Sequence, residues 1–342
     1  MSLSKALYKK PTWLWLLSPL SLCFWLVQVL RRTAYTLNIF SQYRSSLPVV
    51  VVGNITMGGN GKTPIVLSLV QYYLDKGLTP AVLSRGYGGE QTSFPHLVSK
   101  QCPANLVGDE PSLIRHRFDI PVVIDPKRAR GAAFIQSLTN ADIIICDDGM
   151  QHYSLARDME ICVMDGRGIG NGFLLPMGPM RETAERLDLV DYVLFNGNDY
   201  SNLTCLNKIK TDISSFALQG VEWVNVFDEQ AMSLEDGIEY FASLKVEAMA
   251  GIGDPKRFFK TLRHLGIKIE HTHAFADHKK FTEADIPSST IVLMTEKDAV
   301  KCKEIAHDGC WYLRVEADVP QAFFTALDNK IKPLLGEKPN GL

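Results

Sequence analysis

The run Gly53-Asn-Ile-Thr-Met-Gly-Gly-Asn-Gly-Lys-Thr63 sets glycines, a lysine and a hydroxyl between a valine-rich segment and an apolar-periodic one. Glycines let backbone N–H groups close around phosphate oxygens, and the N-terminus of a following helix adds partial positive charge. In that setting Gly58, Gly59, Asn60, Gly61, Lys62, Thr63 and Pro64 would bind nucleotide. Lys62 would reach the β- and γ-phosphates of ATP, and the Thr63 hydroxyl would hold Mg2+. The strict pattern has glycine where Thr56 stands, and the plain alternative is a glycine-rich turn before an ordinary helix. Asp147 and Asp148 end the segment IIICDDG, where a carboxylate can take magnesium directly or through water, or can merely cap a turn.

Phosphoryl transfer to a hydroxyl also needs a group to take the proton. Asp109, in Gly108-Asp-Glu-Pro111, is the candidate; the same four residues also read as a helix start with Asp capping and Pro early. Arg181 could neutralise a phosphate and Glu182 complete a magnesium shell, or the two could form a surface ion pair. Arg85 is a further phosphate candidate, Arg128 and Arg130 weaker ones, and His152 either a substrate contact or a structural hydrogen-bonding group. His271, His273 and His278 lack the spacing and cysteine partners of a zinc site. Glu296, Lys297 and Asp298 follow a strand and face a cleft or a nucleotide in roles the sequence leaves open.

The elements that must position these groups alternate. PVVVVGN (48–54), TPAVLS (79–84), PVVID (121–125), ADIIICDDG (141–149), MEICVMDG (159–166) and VDYVLFNG (190–197) read as strands. PIVLSLVQYYLDKG (64–77) has apolar residues at helical spacing and ends at Gly77. Such alternation predicts an α/β fold with a mostly parallel sheet and ligands at the carboxyl ends of its strands. After about residue 200 the pattern loosens, then resumes at 245–269 and 290–302, which predicts a second, smaller α/β domain. The expected division is a hydrophobic region at 1–40, a phosphate-loop domain at 41–215 and the smaller domain at 216–342.

Pro11 to Leu30 holds no charge and four large rings, Trp13, Trp15, Phe24 and Trp25; Lys5, Lys9 and Lys10 precede it, and Arg31 and Arg32 follow. Twenty residues just suffice to cross hydrocarbon as a helix, although Pro19 and several polar residues weaken that reading. Tryptophans and basic ends favour a helix lying in, or dipping into, the inner leaflet; a buried core helix is the alternative. No small-x-small site follows, so a cleaved signal peptide is not expected. A net charge of -2 over 342 residues gives no basic field for nucleic acid. Seven scattered cysteines with no CxxC spacing fit reduced thiols and no zinc framework. No feature calls for an obligate protein partner.

Two nucleotide-binding classes fit poorly. Thr295-Glu-Lys-Asp298 has the wrong spacing for guanine recognition, and Met57 occupies the place of the signature lysine of dimerising ATPases with a deviant loop. GNITMGGNGKTP (53–64), SRGYGG (84–89), VGDEP (107–111), RARGA (128–132), DDGMQHYSLARD (147–158), LLPMGPMRE (174–182), GIGDPKRF (251–258), ADHKKFTEADI (276–286) and MTEKDAVKC (294–302) run in order through nearly the whole chain. Together they resemble the tetraacyldisaccharide 4'-kinases of Gram-negative lipid A biosynthesis. The resemblance implies transfer of the ATP γ-phosphate to the 4'-hydroxyl of an acylated disaccharide 1-phosphate lipid at the cytoplasmic face of the bacterial inner membrane. It also implies Asp109 as base and His278 as its support. With His278 in the smaller domain, that pairing is expected to require domain closure. A membrane-associated NTPase driving a protein partner would keep Lys62, Thr63 and Asp148 but need no acceptor site; a nucleotide sensor would bind ATP without turnover.

Overall fold

The structure is a computed structural model that describes residues 7–8, 12–287 and 291–335. Lys5, Lys9, Lys10 and Pro11, expected to flank or open the hydrophobic segment, lie outside the described residues, as does Thr290. In chain order the elements begin with α1 (Ser18–Thr36), β1 (Val49–Gly53), α2 (Lys62–Asp75) and β2 (Pro80–Ser84). Next come β3 (His96–Leu97), α3 (Ala104–Val107), α4 (Asp109–Arg117), β4 (Val122–Ile124), α5 (Arg128–Leu138), β5 (Ile143–Asp147), β6 (Met159–Asp165) and β7 (Tyr192–Asn196). The remainder is β8 (Ile213–Asn225), β9 (Ala231–Ser233), α6 (Leu234–Ala242), β10 (Val246–Ala250), α7 (Pro255–His264), β11 (Ile269–Ala274), β12 (Ile291–Thr295), α8 (Glu296–Cys302), β13 (Cys310–Asp318) and α9 (Gln321–Ile331).

The chain divides into two compact units. The first comprises Met1–Arg85, Asp125–Ala217 and Asp318–Leu342; the second comprises Gly86–Ile124 and Leu218–Ala317. This division runs differently from the expected one, because residues 86–124 leave the phosphate-loop domain for the smaller unit.

The first unit is a parallel sheet in the order β8-β7-β6-β1-β5-β2. Its central strand β1 is Val-Val-Val-Val-Gly, and all five residues are buried. Fully buried β-branched residues suit a strand covered on both faces, which explains a continuous apolar run in place of alternation. The chain leaves β1 for β2 on one side, returns to β5, then crosses to β6 on the other, so the loop after β1 opens where the strand order reverses. Helix α2 buries Ile65, Val66, Leu69, Val70 and Tyr73 and stops just before Gly77, as its spacing predicts. Helix α9 packs on α2, with Phe324 stacked on Tyr72 at 4.3 Å and Asp328 accepting from the Tyr72 hydroxyl at 2.8 Å.

Helix α1 is different. Pro19 sits at its first turn, where a missing N–H costs nothing, so the proline starts the helix. With the 3-10 turn before it, the segment Trp13–Thr36 is the one helix among the described residues long and apolar enough to cross a membrane. Only 6% of its most apolar stretch is buried. It docks through Leu14, packed with Leu7 and Met177, and through Ser21, whose hydroxyl donates to the Leu174 carbonyl and accepts from the Met177 N–H. Leu16, Leu20, Leu22, Leu26, Val27 and Leu30 remain exposed, and so does Cys23.

The second unit holds the sheet β11-β10-β12-β13-β8, with β9 antiparallel to β8. Side chains alternate strictly between its faces. Trp223, Ala248, Leu293, Trp311 and Leu313 join one core with Phe241 and Leu262, while Val224, Met249, Val292, Met294 and Tyr312 join another.

Candidate active site

In the first unit the loop between β1 and α2 is held from several sides. Gly61 caps α2 in the left-handed region at φ 93°, and a Cβ there would meet the Asn196 amide at 2.5 Å, so only glycine fits. Asn60 is 2% exposed; its side-chain amide donates to the Thr56 hydroxyl at 3.1 Å, and its side-chain oxygen accepts from Arg167 at 2.6 Å. Arg167 also donates to the Gly59 carbonyl and to Asp165. Thr56, which stands where the strict pattern has glycine, forms a β-bridge with Met180, while Met57 N–H donates to the Pro179 carbonyl and Arg181 N–H to the Ile55 carbonyl. The segment 173–182 thus braces the loop. The alternative of a bare glycine turn does not describe this arrangement.

Lys62, at the start of α2, lies with its ammonium 3.7 Å from Asp148, and Arg181 donates to both Asp148 oxygens at 2.9 and 3.1 Å. Burial would raise the Asp148 carboxyl, but Lys62 and Arg181 outweigh it and hold the group at about 2. Asp148 has φ 49°, a strained setting for a non-glycine residue that its ion pairs over-determine. The arrangement gathers two cations and a carboxylate ionised at neutral pH beside a glycine loop.

Thr63 and Asp148 supply the hard oxygen donors magnesium prefers. Among the described residues no group of three or more His, Cys, Asp or Glu side chains is placed to hold a metal alone. Asp147 is 5% exposed, and its backbone carbonyl accepts from Arg128. Glu182 faces inward: its two oxygens accept from Gln151 at 2.6 Å, Tyr153 at 2.5 Å and Arg186 at 3.2 Å. Gln151, which the sequence did not single out, also donates to the Asn54 carbonyl at 3.1 Å and so links this buried network to the loop.

Arg128 and Arg130 are committed internally. The buried Arg128 guanidinium donates to the Asp125 and Asp147 carbonyls, and Arg130 makes a two-point pair with the Asp125 carboxylate. Arg85 is exposed just past β2. His152 lies in the field of Arg128, Arg85 and Arg31; burial first, then those cations, press its imidazole down to about 3. It is therefore a neutral group among cations. Arg31 carried no signal beyond flanking the apolar run.

In the second unit, Asp109 and His278 meet directly, with His278 Nδ1 2.9 Å from Asp109 Oδ2. The expected first-domain placement of Asp109 is thus corrected: both residues belong to one unit, and their pairing needs no motion of one unit on the other. The reason is α4, which packs on α8 within that unit. Gly108, at φ 97° with the Tyr87 carbonyl 2.7 Å from any added Cβ, is the residue that caps α4. Asp109 is therefore the first helical residue and not the cap, and its carboxylate is turned to His278. Burial would raise the Asp109 carboxyl, yet the His278 hydrogen bond and the Lys301 and Lys297 charges bring it below the ordinary range. The same hydrogen bond raises His278. Tyr87 sets its ring edge-on to His278 at 5.1 Å, and His278 holds φ 58°. His273 instead pairs with Glu247 on neighbouring strands.

The unassigned trio resolves into three environments. Glu296 pairs with Arg117 at 3.4 Å; Lys297 reaches Glu110 at 2.8 Å, Asp277 at 3.3 Å and Asp109 at 3.7 Å; Asp298 is fully buried. Lys301, which the sequence left without a role, lies 3.9 Å from Asp109.

Comparison with known proteins adds an independent line. The LpxK family profile, tetraacyldisaccharide-1-P 4'-kinase, matches residues 13–332. A tetraacyldisaccharide 4'-kinase of Tolumonas auensis is 43% identical over 333 residues, which cover 96% of this chain and 97% of that protein. The Haemophilus influenzae enzyme of the same name is 42% identical over 321 residues, 92% of each chain. The crystal structure of LpxK from Aquifex aeolicus, solved in complex with ATP, is similar with a TM-score of 0.78 at 25% identity, over 95% of this chain and 100% of that one.

Proposed function

The chain belongs to the tetraacyldisaccharide-1-P 4'-kinase family, and we propose on that premise that it moves the γ-phosphate of ATP to the 4'-hydroxyl of a tetraacyldisaccharide 1-phosphate, a step of lipid A biosynthesis. The observation that carries the reading at the site is the convergence of Lys62 and Arg181 on Asp148 beside the glycine loop. Gly58 to Pro64 hold the nucleotide phosphates, with Lys62 neutralising the charge that spreads over the transferring group. Thr63 and Asp148, with Asp147 behind them, are the residues that would hold Mg2+, which would supply positive charge against the nucleotide phosphates. Glu182 acts through Gln151 on the loop and stands second to Asp148 as a metal ligand. Arg181, Arg85 and the neutral His152 orient the phosphorylated sugar. Asp109 takes the proton of the attacking hydroxyl, and His278 fixes and supports its carboxylate.

Helix α1 works at the inner leaflet of the bacterial inner membrane, on the cytoplasmic side where ATP is available. Burying exposed residues such as Leu20, Leu26, Val27 and Leu30 in lipid contributes about 1 kcal/mol or more for each, since full burial of such a side chain is worth about 1.5–3 kcal/mol and these are already partly covered. The partners are therefore a glycolipid and a membrane surface, with neither nucleic acid nor an obligate protein.

The test is transfer of label from γ-labelled ATP to purified disaccharide 1-phosphate in detergent micelles. Label should appear in the lipid, and Lys62→Ala should abolish most of it while circular dichroism stays unchanged. ATP turnover that is indifferent to the acceptor would sink the kinase reading in favour of an NTPase.

A further inference from the structure

Helix α8 grows out of Thr295-Glu-Lys-Asp298, and its last turn carries Lys301. Asp298 is an anchor: one oxygen accepts from the Gly251 N–H at 2.9 Å and the Thr295 hydroxyl at 2.7 Å, and its own N–H donates back to Thr295. That ties the end of β10 to the start of α8. The other oxygen lies 2.7 Å from the Lys301 ammonium, which stands 3.9 Å from Asp109 and 4.8 Å from the centre of the Phe281 ring. The Lys301 side chain is 7% exposed. Neither its ammonium nor the facing Asp298 oxygen reaches a partner in hydrogen-bonding geometry.

Holding an ammonium in so sheltered a place carries a desolvation cost, which the Asp298 carboxylate at 2.7 Å offsets. The same ammonium also stands 3.9 Å from the Asp109 carboxylate, so its charge serves two acids at once. We propose that Lys301 is a positioning residue for phosphoryl transfer, braced by Asp298 and acting through Asp109 to keep that carboxylate ionised and paired with His278. The inference rests on the assignment of Asp109 and His278 to proton removal. Around Asp109 the charged groups are Glu110 on its own helix, Asp277 and His278 on the loop after β11, and Lys297, Asp298 and Lys301 on α8. Lys297 divides its charge among Glu110, Asp277 and Asp109 at a more open position, which leaves Lys301 as the sheltered cation.

The experiment is the pH dependence of acceptor kcat/KM for wild type, Lys301→Met and Lys301→Arg at fixed ionic strength. Removing the cation raises the pKa of Asp109 and of the imidazolium it holds, so the acid limb should move up by about one pH unit or more. ATP KM should hold, melting temperature should fall in Lys301→Met because Asp298 keeps a buried carboxylate without its counter-ion, and the arginine variant should return the limb toward wild type. A folded Lys301→Met with the wild-type limb overturns the proposal. Should methionine not fold, Lys301→Gln keeps a partner for Asp298 and is read by the same limb. Asp109→Asn runs in parallel: an inactive Asp109→Asn beside an unmoved limb defeats only the role of Lys301, whereas an active one defeats the assignment beneath it.

Discussion

His152 shows how much a site's charge can say about one side chain. Burial and the guanidinium groups of Arg128, Arg85 and Arg31 push its imidazole to about 3, well below the ordinary value near 6.5. Between those values the unfolded chain binds a proton that the folded protein refuses, so this group makes stability fall as pH drops below about 6.5. His152→Gln should flatten that acid loss, seen as a smaller drop in melting temperature between pH 7 and pH 5. An equal drop in the variant would mean that burial and the cations together do not hold this ring neutral. Asp148 behaves in the opposite sense. Held at about 2, it stays ionised across this range and contributes no pH dependence to it. Lys62, Thr63 and Asp148 could be proposed from the sequence because each lies in a short contiguous run whose spacing suggests the chemistry, and Asp109 because its run resembles the family's. Lys301, Gln151 and Arg31 could not, because their meaning lies in partners far along the chain: Lys301 meets Asp109 across nearly two hundred positions.

At the scale of elements, α1 separates docking from exposure along a single helix. Leu20 is 58% and Val27 60% exposed, whereas Ser21 between them is 9% exposed and bonded to Leu174 and Met177. Leu20→Glu with Val27→Glu should release the protein from anionic vesicles in a flotation assay while leaving its melting temperature in detergent unchanged. Ser21→Ala should do the reverse, keeping flotation and lowering stability by about 1–3 kcal/mol, the cost of orphaning a buried backbone pair. If the glutamates unfold the protein, α1 is a core helix after all. Most strands were readable because a run of β-branched residues bounded by glycine has few other uses. The long strand β8 was not, since Gly220 and alternating polar residues interrupt ISSFALQGVEWVN. Its first part pairs with β7 and its last part with β9, and no single period describes both.

For the whole molecule, the division into units was the least legible feature. The segment 86–124 sits in sequence between two strands of the parallel sheet yet joins the unit built mainly from 218–317. Only long-range packing, such as α4 on α8, reveals this. Ligand linkage offers a global readout of the phosphate loop: ATP with magnesium at about a hundred times its Kd should stabilise the protein by about 2.7 kcal/mol. That rise in melting temperature should vanish in Lys62→Ala, and its persistence there would place the nucleotide elsewhere. The cysteines carry a last consequence. Cys146, Cys162, Cys302 and Cys310 are buried thiols pushed up to about 11–12, protonated and shielded. Cys23 instead faces outward on the apolar helix. With α1 in lipid, a water-borne alkylating reagent loses access to that thiol while a lipophilic one keeps it. The ratio of the two labelling rates makes Cys23 a native gauge of how deeply the enzyme is immersed.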